Sequence, residues 1–470
     1  MGSRQRRSLP SHHAILLAAA VLSGCALQPP AAPDACGRAF ARLRSATAAV
    51  RDAQYHPLAD FPGLRSDRVL AVLAVEATSP AARRLWLQRL ADNDREAAAI
   101  ERGNLAAGER TELPEPALLE GCRRRQVESL ANDIHSFARA AAAARIPSDY
   151  RPWARTLGLY PLLRPLYRRS IAAWQREAAA QQAPADTAAW LSYRLAEPLG
   201  DTPPPPLRTD VLGLPQATAE QLAALFARHA PELRIAAQSA ADRPGAPLFD
   251  RRGRRGFARD PALVYRRHAW SRLDGRWHLQ LIYQWWFSER PASGVLDLYA
   301  GELDGLLWRV TLDERGQAIL FDAIHPCGCW HALFLPADSP LQFRQPADAE
   351  QRLARRLTLA GRQAATLWLR AGDHALLWVD GRRAPYPIHR YRLAELDELR
   401  RLPHPAGRRS LYGSDGLVPG SQRLERWILW PSGVVSPGAM RQWGRHASAF
   451  VGEAHFDDPD LLGRYFHTPK

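Results

Sequence analysis

The chain has 470 residues, 63 Lys+Arg against 48 Asp+Glu, a formal net charge of +15 and 46% hydrophobic positions. That length accommodates roughly two or three domains, and a 24% charged fraction with 15 Trp excludes a disordered or collagen-like chain. No set of long apolar runs is present, which excludes a polytopic membrane protein. Lys470 is the one Lys, so the positive balance is an Arg balance spread along the chain and does not by itself mark a nucleic-acid ligand.

Residues 1–13 carry Arg4, Arg6 and Arg7 and no acid, residues 14–22 are a short apolar run, and Leu22-Ser23-Gly24-Cys25 follows. Basic, apolar and small-residue segments in that order make a secretory signal whose apolar part is too short to span a bilayer. The tetrad resembles the lipobox of bacterial lipoproteins. The resemblance covers residues 1–25 only. It implies that residues 1–24 are removed and that the Cys25 thiol carries a diacylglyceryl group. Ala26 stands where an Asp would signal inner-membrane retention, which implies the outer membrane of a Gram-negative envelope. Residues 25–35, with Pro29, Pro30 and Pro33, read as a semi-rigid tether. That placement argues against a nucleic-acid partner and puts the remaining thiols in an oxidising compartment.

Residues 36–200 read as a helical domain. Ser79-Pro80 supplies an N-cap with Pro at the first helical position, opening a helix toward Gly103. Leu119, Cys122, Val127, Leu130, Ile134, Phe137 and Ala141 recur at helical spacing and predict one further helix ending before Pro147. The aromatic, Pro-punctuated residues 150–165 read as an ordered loop or extended segment. Cys36 and Cys122 both lie in this half, and Cys327 and Cys329 have each other, so a Cys36–Cys122 disulfide is expected.

Residues 201–256 read as a Pro/Arg-rich linker that begins with the four prolines Pro203, Pro204, Pro205 and Pro206. Thr218 and Gln221 form a capping box ahead of Leu222, Leu225 and Phe226, predicting a short helix. The run Arg251-Arg252-Gly253-Arg254-Arg255-Gly256 reads as an exposed loop.

Residues 257–470 read as a Trp-rich, mainly antiparallel β domain with a few helices, so the chain as a whole is α+β. Hairpins are predicted for 264–273 with 277–287 across Asp274-Gly275, for 306–312 with 318–324 across Arg315-Gly316, and for 364–369 with 375–379 across Ala371-Gly372-Asp373. Residues 391–402 read as a helix and 427–430 as a short strand. Trp on strands fills a core or offers a flat face to sugar rings, and most here are expected in the core. Trp285 and Trp286 are neighbours on one strand, so a single core can hold only one of them.

Nucleotide-binding glycine loops, HExxH and GxSxG are absent. Tyr412-Gly413-Ser414-Asp415-Gly416 reads as a turn, and Asp297, Glu302 and Asp304 as solvated turn acids. One constellation stands out: His325-Pro326-Cys327-Gly328-Cys329-Trp330-His331, directly after a predicted strand. Thiolate and imidazole suit zinc or copper, but alternate side chains of a regular strand stand roughly 6.6 Å apart. Pro326 and Gly328 must therefore bend the chain. The same Cys-Gly-Cys can close as a small, strained disulfide. His446 and His455, with Asp457 or Asp458, are candidate contributors from the C-terminal stretch. The expected function is a metal-binding or thiol-redox site in an envelope lipoprotein. The alternative is a noncatalytic module that binds glycans or anionic surface polymers.

Overall fold

The computed structural model describes residues 34–185, 190–196, 205–383 and 388–469. The signal segment, Cys25, most of the tether, Pro203 and Pro204 lie outside the described residues. The fold is α+β: helices come first, and a large, mainly antiparallel sheet follows.

Helix α1 (Ala35–Ala46) starts where the Asp34 carboxylate accepts from the Gly37 N–H at 2.7 Å. After α2 (Arg68–Leu73), the expected Ser79 cap opens α3 (Pro80–Asn104), its hydroxyl accepting from Ala82 N–H at 3.1 Å. The stripe from Leu119 to Ala141 forms two helices rather than one, α4 (Pro116–Asn132) and α5 (Ile134–Ala143). Asp133 causes the break: its carboxylate satisfies the first amides of α5, those of His135 and Ser136, so the backbone restarts there. Trp86, Leu87 and Leu90 of α3 are fully buried against Val127, Leu130 and Phe137. Arg65 bonds both Asp94 and Glu101 of α3, and Arg123 of α4 bonds Asp94, so each buried charge has a partner. The Cys36–Cys122 disulfide forms as expected and ties α1 to α4.

Residues 150–165 correct the sequence reading, because they form α6 (Pro152–Leu157) and the start of α7 (Tyr160–Ala180). Pro152 and Pro161 fall in first turns, where the missing N–H would have no intrahelical partner anyway. Proline there starts a helix instead of blocking one. The capping box of Thr218 and Gln221 opens α8 (Ala219–Arg228) as expected.

Eleven strands build the main sheet. In chain order they are β1 (Leu191–Leu195), β2 (Glu232–Ile235), β3 (Ala262–Leu273), β4 (Arg276–Arg290), β5 (Gly301–Leu312) and β6 (Ala318–Ile324). They continue with β7 (Ala332–Leu335), β8 (Leu353–Arg356), β9 (Thr366–Leu369), β10 (Leu376–Asp380) and β11 (His389–Glu395). The spatial order is β8-β7-β6-β5-β4-β3-β11-β1-β2-β9-β10. All three predicted hairpins, β3–β4, β5–β6 and β9–β10, are present, and Asp274 and Gly275 take the positive φ values that the first requires. Residues 391–402 are not a helix: most of β11 and a 3-10 turn at Leu396–Arg400 occupy them. Residues 427–430 are not a strand: they fall in the short helix α9 (Arg426–Leu429) and the turn that follows it. Strand β1, inside the segment read as helical, sits between β11 and β2 and parallel to β11.

Leu281, Tyr283, Trp285 and Phe287 of β4 face one core, whereas Ile282 and Trp286 face others on the opposite side. Trp285 and Trp286 are both fully buried, so the sheet is covered on both faces. The helical half supplies part of that cover: Trp277 of β4 shares a core with α3, α4 and α5, and Arg400 bonds Asp52 at 2.7 Å. No helix among the described residues is long and apolar enough to cross a membrane.

Reducing the Cys36–Cys122 bridge releases a loop spanning 86 positions. In the chain-entropy model this costs about 4–5 kcal/mol. Urea unfolding followed by far-UV circular dichroism is expected to show a lower midpoint with reductant, and Cys36→Ala with Cys122→Ala is expected to reproduce it without reductant.

Candidate functional site

Alternation along the strands decides where the four candidate ligands go. Phe287 and Asp304 are directly paired across β4 and β5, and Arg309 and Asp322 are paired across β5 and β6. Asp304 and Arg309 are five residues apart, so the two pairs point to opposite faces of the sheet. The segment after β6 crosses between those faces. At its start, His325 places Nδ1 3.4 Å from Asp304 Oδ1. At its end, His331 Nε2 lies 2.7 Å from Asp322 Oδ2, which Arg309 also holds. The two imidazoles are thus tied to different carboxylates on different faces.

Between them the chain makes a tight turn: Gly328 N–H donates to His325 O at 2.8 Å, and His325 N–H to Cys329 O at 3.0 Å. Gly328 has φ +92, and a Cβ there would lie 2.0 Å from the Ala447 carbonyl oxygen, so no other residue fits. Arg441 Nε donates to the Cys327 carbonyl at 2.9 Å and pins the turn to the C-terminal stretch. Both cysteines are free and half-buried, two residues apart in the turn. The neighbouring Cys329 thiol, helped by the His325 imidazole, holds Cys327 below the usual thiol range despite its burial. The neighbouring Cys327 sulfur, reinforced by burial, pushes Cys329 well above that range. The turn lines a cavity of about 180 Å³, whose wall also includes Asp304, Arg290, Arg423 and Glu425, with Tyr167 and Trp174 of α7.

Behind His325 runs a buried chain of alternating acids and imidazoles. Asp304 Oδ2 accepts from His374 Nδ1 at 2.8 Å, and His374 Nε2 lies 3.5 Å from Asp242 Oδ1. His374 is fully buried and stacks on Phe287, with ring centroids 3.8 Å apart. Burial would neutralise all of these groups, but mutual hydrogen bonding wins: Asp304 and Asp242 are held well below the usual carboxylate range, and His374 is raised. His325 Nε2 and His331 Nδ1 are buried without hydrogen-bond partners among the described residues, and both residues line the cavity. His331 itself is lowered to about 4 by burial.

Asp304 corrects the reading of solvated turn acids, because it is buried and central. Asp297 fits that reading, accepting from the amides of Ser293, Tyr299 and Ala300, and Glu302 is exposed. Residues 412–416 form the expected turn, Gly413 N–H donating to Leu417 O. None of His446, His455, Asp457 and Asp458 lines the cavity. His446 packs beside the rings of Trp443 and Phe456, and burial lowers it to about 3. His455 Nε2 accepts from Asp149 N–H, Asp457 pairs with Arg68 and Asp458 with Arg464. His455 and Asp457 thus stitch the C-terminal stretch to the helical half, while His446 and Asp458 have partners within the stretch itself. Among the described residues, no three or more His, Cys, Asp or Glu side chains are grouped to hold a metal ion. Sequence reasoning missed Asp242, His374, Arg290, Arg423 and Glu425, which sit far apart in the chain and follow no spacing rule.

Burial pushes the Glu425 carboxyl up to about 7, against the pull of Arg290, Arg423 and Arg441. A carboxyl raised in the folded state contributes stability that is complete below its unfolded pKa, near 4.5, and is lost as pH rises toward about 7. Glu425→Gln is therefore expected to gain about 3 kcal/mol relative to the parent between acidic and neutral pH. Chemical denaturation of both proteins across that range reads the difference.

In comparisons with known proteins, no family model, curated protein or solved structure matches the chain.

Proposed function

We propose that the chain is a lipid-anchored envelope protein whose Cys327–Cys329 pair carries out thiol–disulfide exchange. The observation that carries this reading is the tight turn that sets two free thiols two residues apart in a cavity wall, with the His325 imidazole in the same wall. A thiol held below its usual range is the attacking group, and one held above it waits as the resolving group. The Cys327 thiolate attacks a substrate disulfide, forming a mixed disulfide and expelling one substrate thiolate. Cys329 gives its proton to the free Nε2 of His325, attacks the Cys327 sulfur and expels the second thiolate. The substrate gains two electrons and the pair ends as a disulfide. Strain in the small Cys-Gly-Cys ring favours the reverse direction, in which a substrate dithiol is oxidised. Asp304, fixed by His374, orients His325 for the proton transfer.

With a chromogenic aromatic disulfide, the reduced parent is expected to release both substrate thiols. Cys329→Ser is expected to release one and stay as the mixed disulfide, and Cys327→Ser to react at least tenfold more slowly. Zinc or copper is a second reading, drawn from the unpartnered His325 Nε2 with a carboxylate behind it; it requires the turn to rearrange, because Cys327, Cys329 and His325 are not grouped around one ion in this structure. Stoichiometric metal in the purified protein together with unreactive thiols would decide for that second reading.

The anchor rests on the lipobox resemblance. Cys25→Ser is expected to remain unprocessed and to leave the detergent phase in Triton partitioning, whereas the parent enters it.

A further inference from the structure

Helix α7 is 21 residues long, yet Ala178 is its one fully buried residue. Its inner side is half-buried, and Tyr167, Ile171 and Trp174 roof the cavity that holds Cys327 and Cys329. Its outer side presents Leu162 at 71% and Leu166 at 55% exposure, one turn apart. Helix α6, packed against α7, adds Trp153 at 55% and Leu157 at 70%. The segment at 426–433 completes it: Arg151 N–H donates to Gly433 O at 2.7 Å and Arg155 Nε to Ser432 O at 2.7 Å, which sets Trp427 (66% exposed) and Ile428 (55%) beside α6. Water-facing residues of this size on three packed elements form a patch that a monomer in water does not ordinarily keep.

Its charge is one-sided. From residue 150 to residue 176 the sequence has Arg151, Arg155, Arg164, Arg168, Arg169 and Arg176 and no Asp or Glu. Arg426 lies over the Trp427 ring at 4.8 Å and Arg151 over Trp153 at 5.9 Å, keeping cations at the edge of the aromatic surface. Trp and Leu flanked by an excess of Arg, in which Arg155 pairs with Glu453 and Glu177 is the acid of α7, is the composition of a surface that sits at a lipid–water interface.

We propose that the face made by α6, α7 and residues 426–432 docks on an anionic lipid bilayer. The docking is a property of the folded surface and does not rest on lipidation of Cys25 or on the thiol reading. Apolar side chains enter the headgroup boundary while the arginines meet lipid phosphates. The roof of the cavity then lies against the membrane.

The test uses the full chain carrying Cys25→Ser, so that no acyl group contributes. It compares this parent with Leu162→Glu, Leu166→Glu and Ile428→Glu combined, and with a control of Val75→Glu and Leu118→Glu on exposed sites of the helical half. Expected results are sedimentation with phosphatidylglycerol vesicles but not phosphatidylcholine vesicles, weakening in high salt, at least tenfold weaker binding of the triple variant, and parent-like binding of the control. Equal binding of triple variant and parent, or binding indifferent to lipid charge, overturns the proposal. So does a parent dimer that the triple variant converts to monomer, since a second copy would then cover the face. If the triple variant does not fold, bromine-labelled acyl chains decide with the parent alone: quenching of its tryptophan fluorescence supports insertion, and unchanged fluorescence refutes it.

Discussion

The strand pair β4–β5 is buried on both of its faces, and the rest of the molecule is arranged to make that possible. A strand offers successive side chains to opposite sides, so an uninterrupted run from Leu279 to Phe287 with no exposed position needs two cores. One is built by the sheet's own curl, with Tyr391, Leu233 and α8 closing over Trp285 and Trp308. The helical half extends that cover around Trp277, and two patches build the other: the C-terminal stretch around Phe456, and the segment around Leu399 and Met440 over Trp286. Helices and C-terminal coil are thus cover for a sheet that could not stand alone in water.

Burial on both sides leaves any charge on these strands without solvent, and such a charge persists only if fully paired. Arg309 and Asp322 satisfy one another across β5 and β6, with His331 and the Phe456 carbonyl completing their hydrogen bonds. On the opposite face Asp304 is satisfied by His325 and His374. The two carboxylates fix the two ends of the Cys-Gly-Cys segment, so the sulfurs are held between anchored imidazoles where the sheet ends. The low dielectric that makes unpaired charge costly also couples the two adjacent thiols, so that ionising one opposes ionising the other.

Local chemistry was legible where one or two residues decide the outcome. Asp274-Gly275 permits a tight turn, Ser79-Pro80 and Thr218 with Gln221 satisfy the first amides of a helix, and each predicted its element. The reading failed where local cues pointed two ways. Prolines at 152 and 161 served as helix starts rather than interruptions, and Asp133 divided a continuous apolar stripe. The apolar spacing from Tyr391 suits a helix, but pairing with β3 and β1 drew the residues before Leu396 into the sheet.

The sequence by itself determined the α+β order, the hairpins, the Cys36–Cys122 bridge and the candidate Cys-Gly-Cys turn, because each depends on groups close in the chain or on elimination among few cysteines. It could not determine that Asp304 is buried, that His374 and Asp242 stand behind it, or that His325 and His331 face opposite sides of the sheet. Those facts arise from strand register and from packing between segments as far apart as Asp242 and Gly372, which hydrogen-bond at 2.6 Å. A residue's partner across a sheet is set by the sum of all pairings and by the space they leave, and no local spacing records that sum.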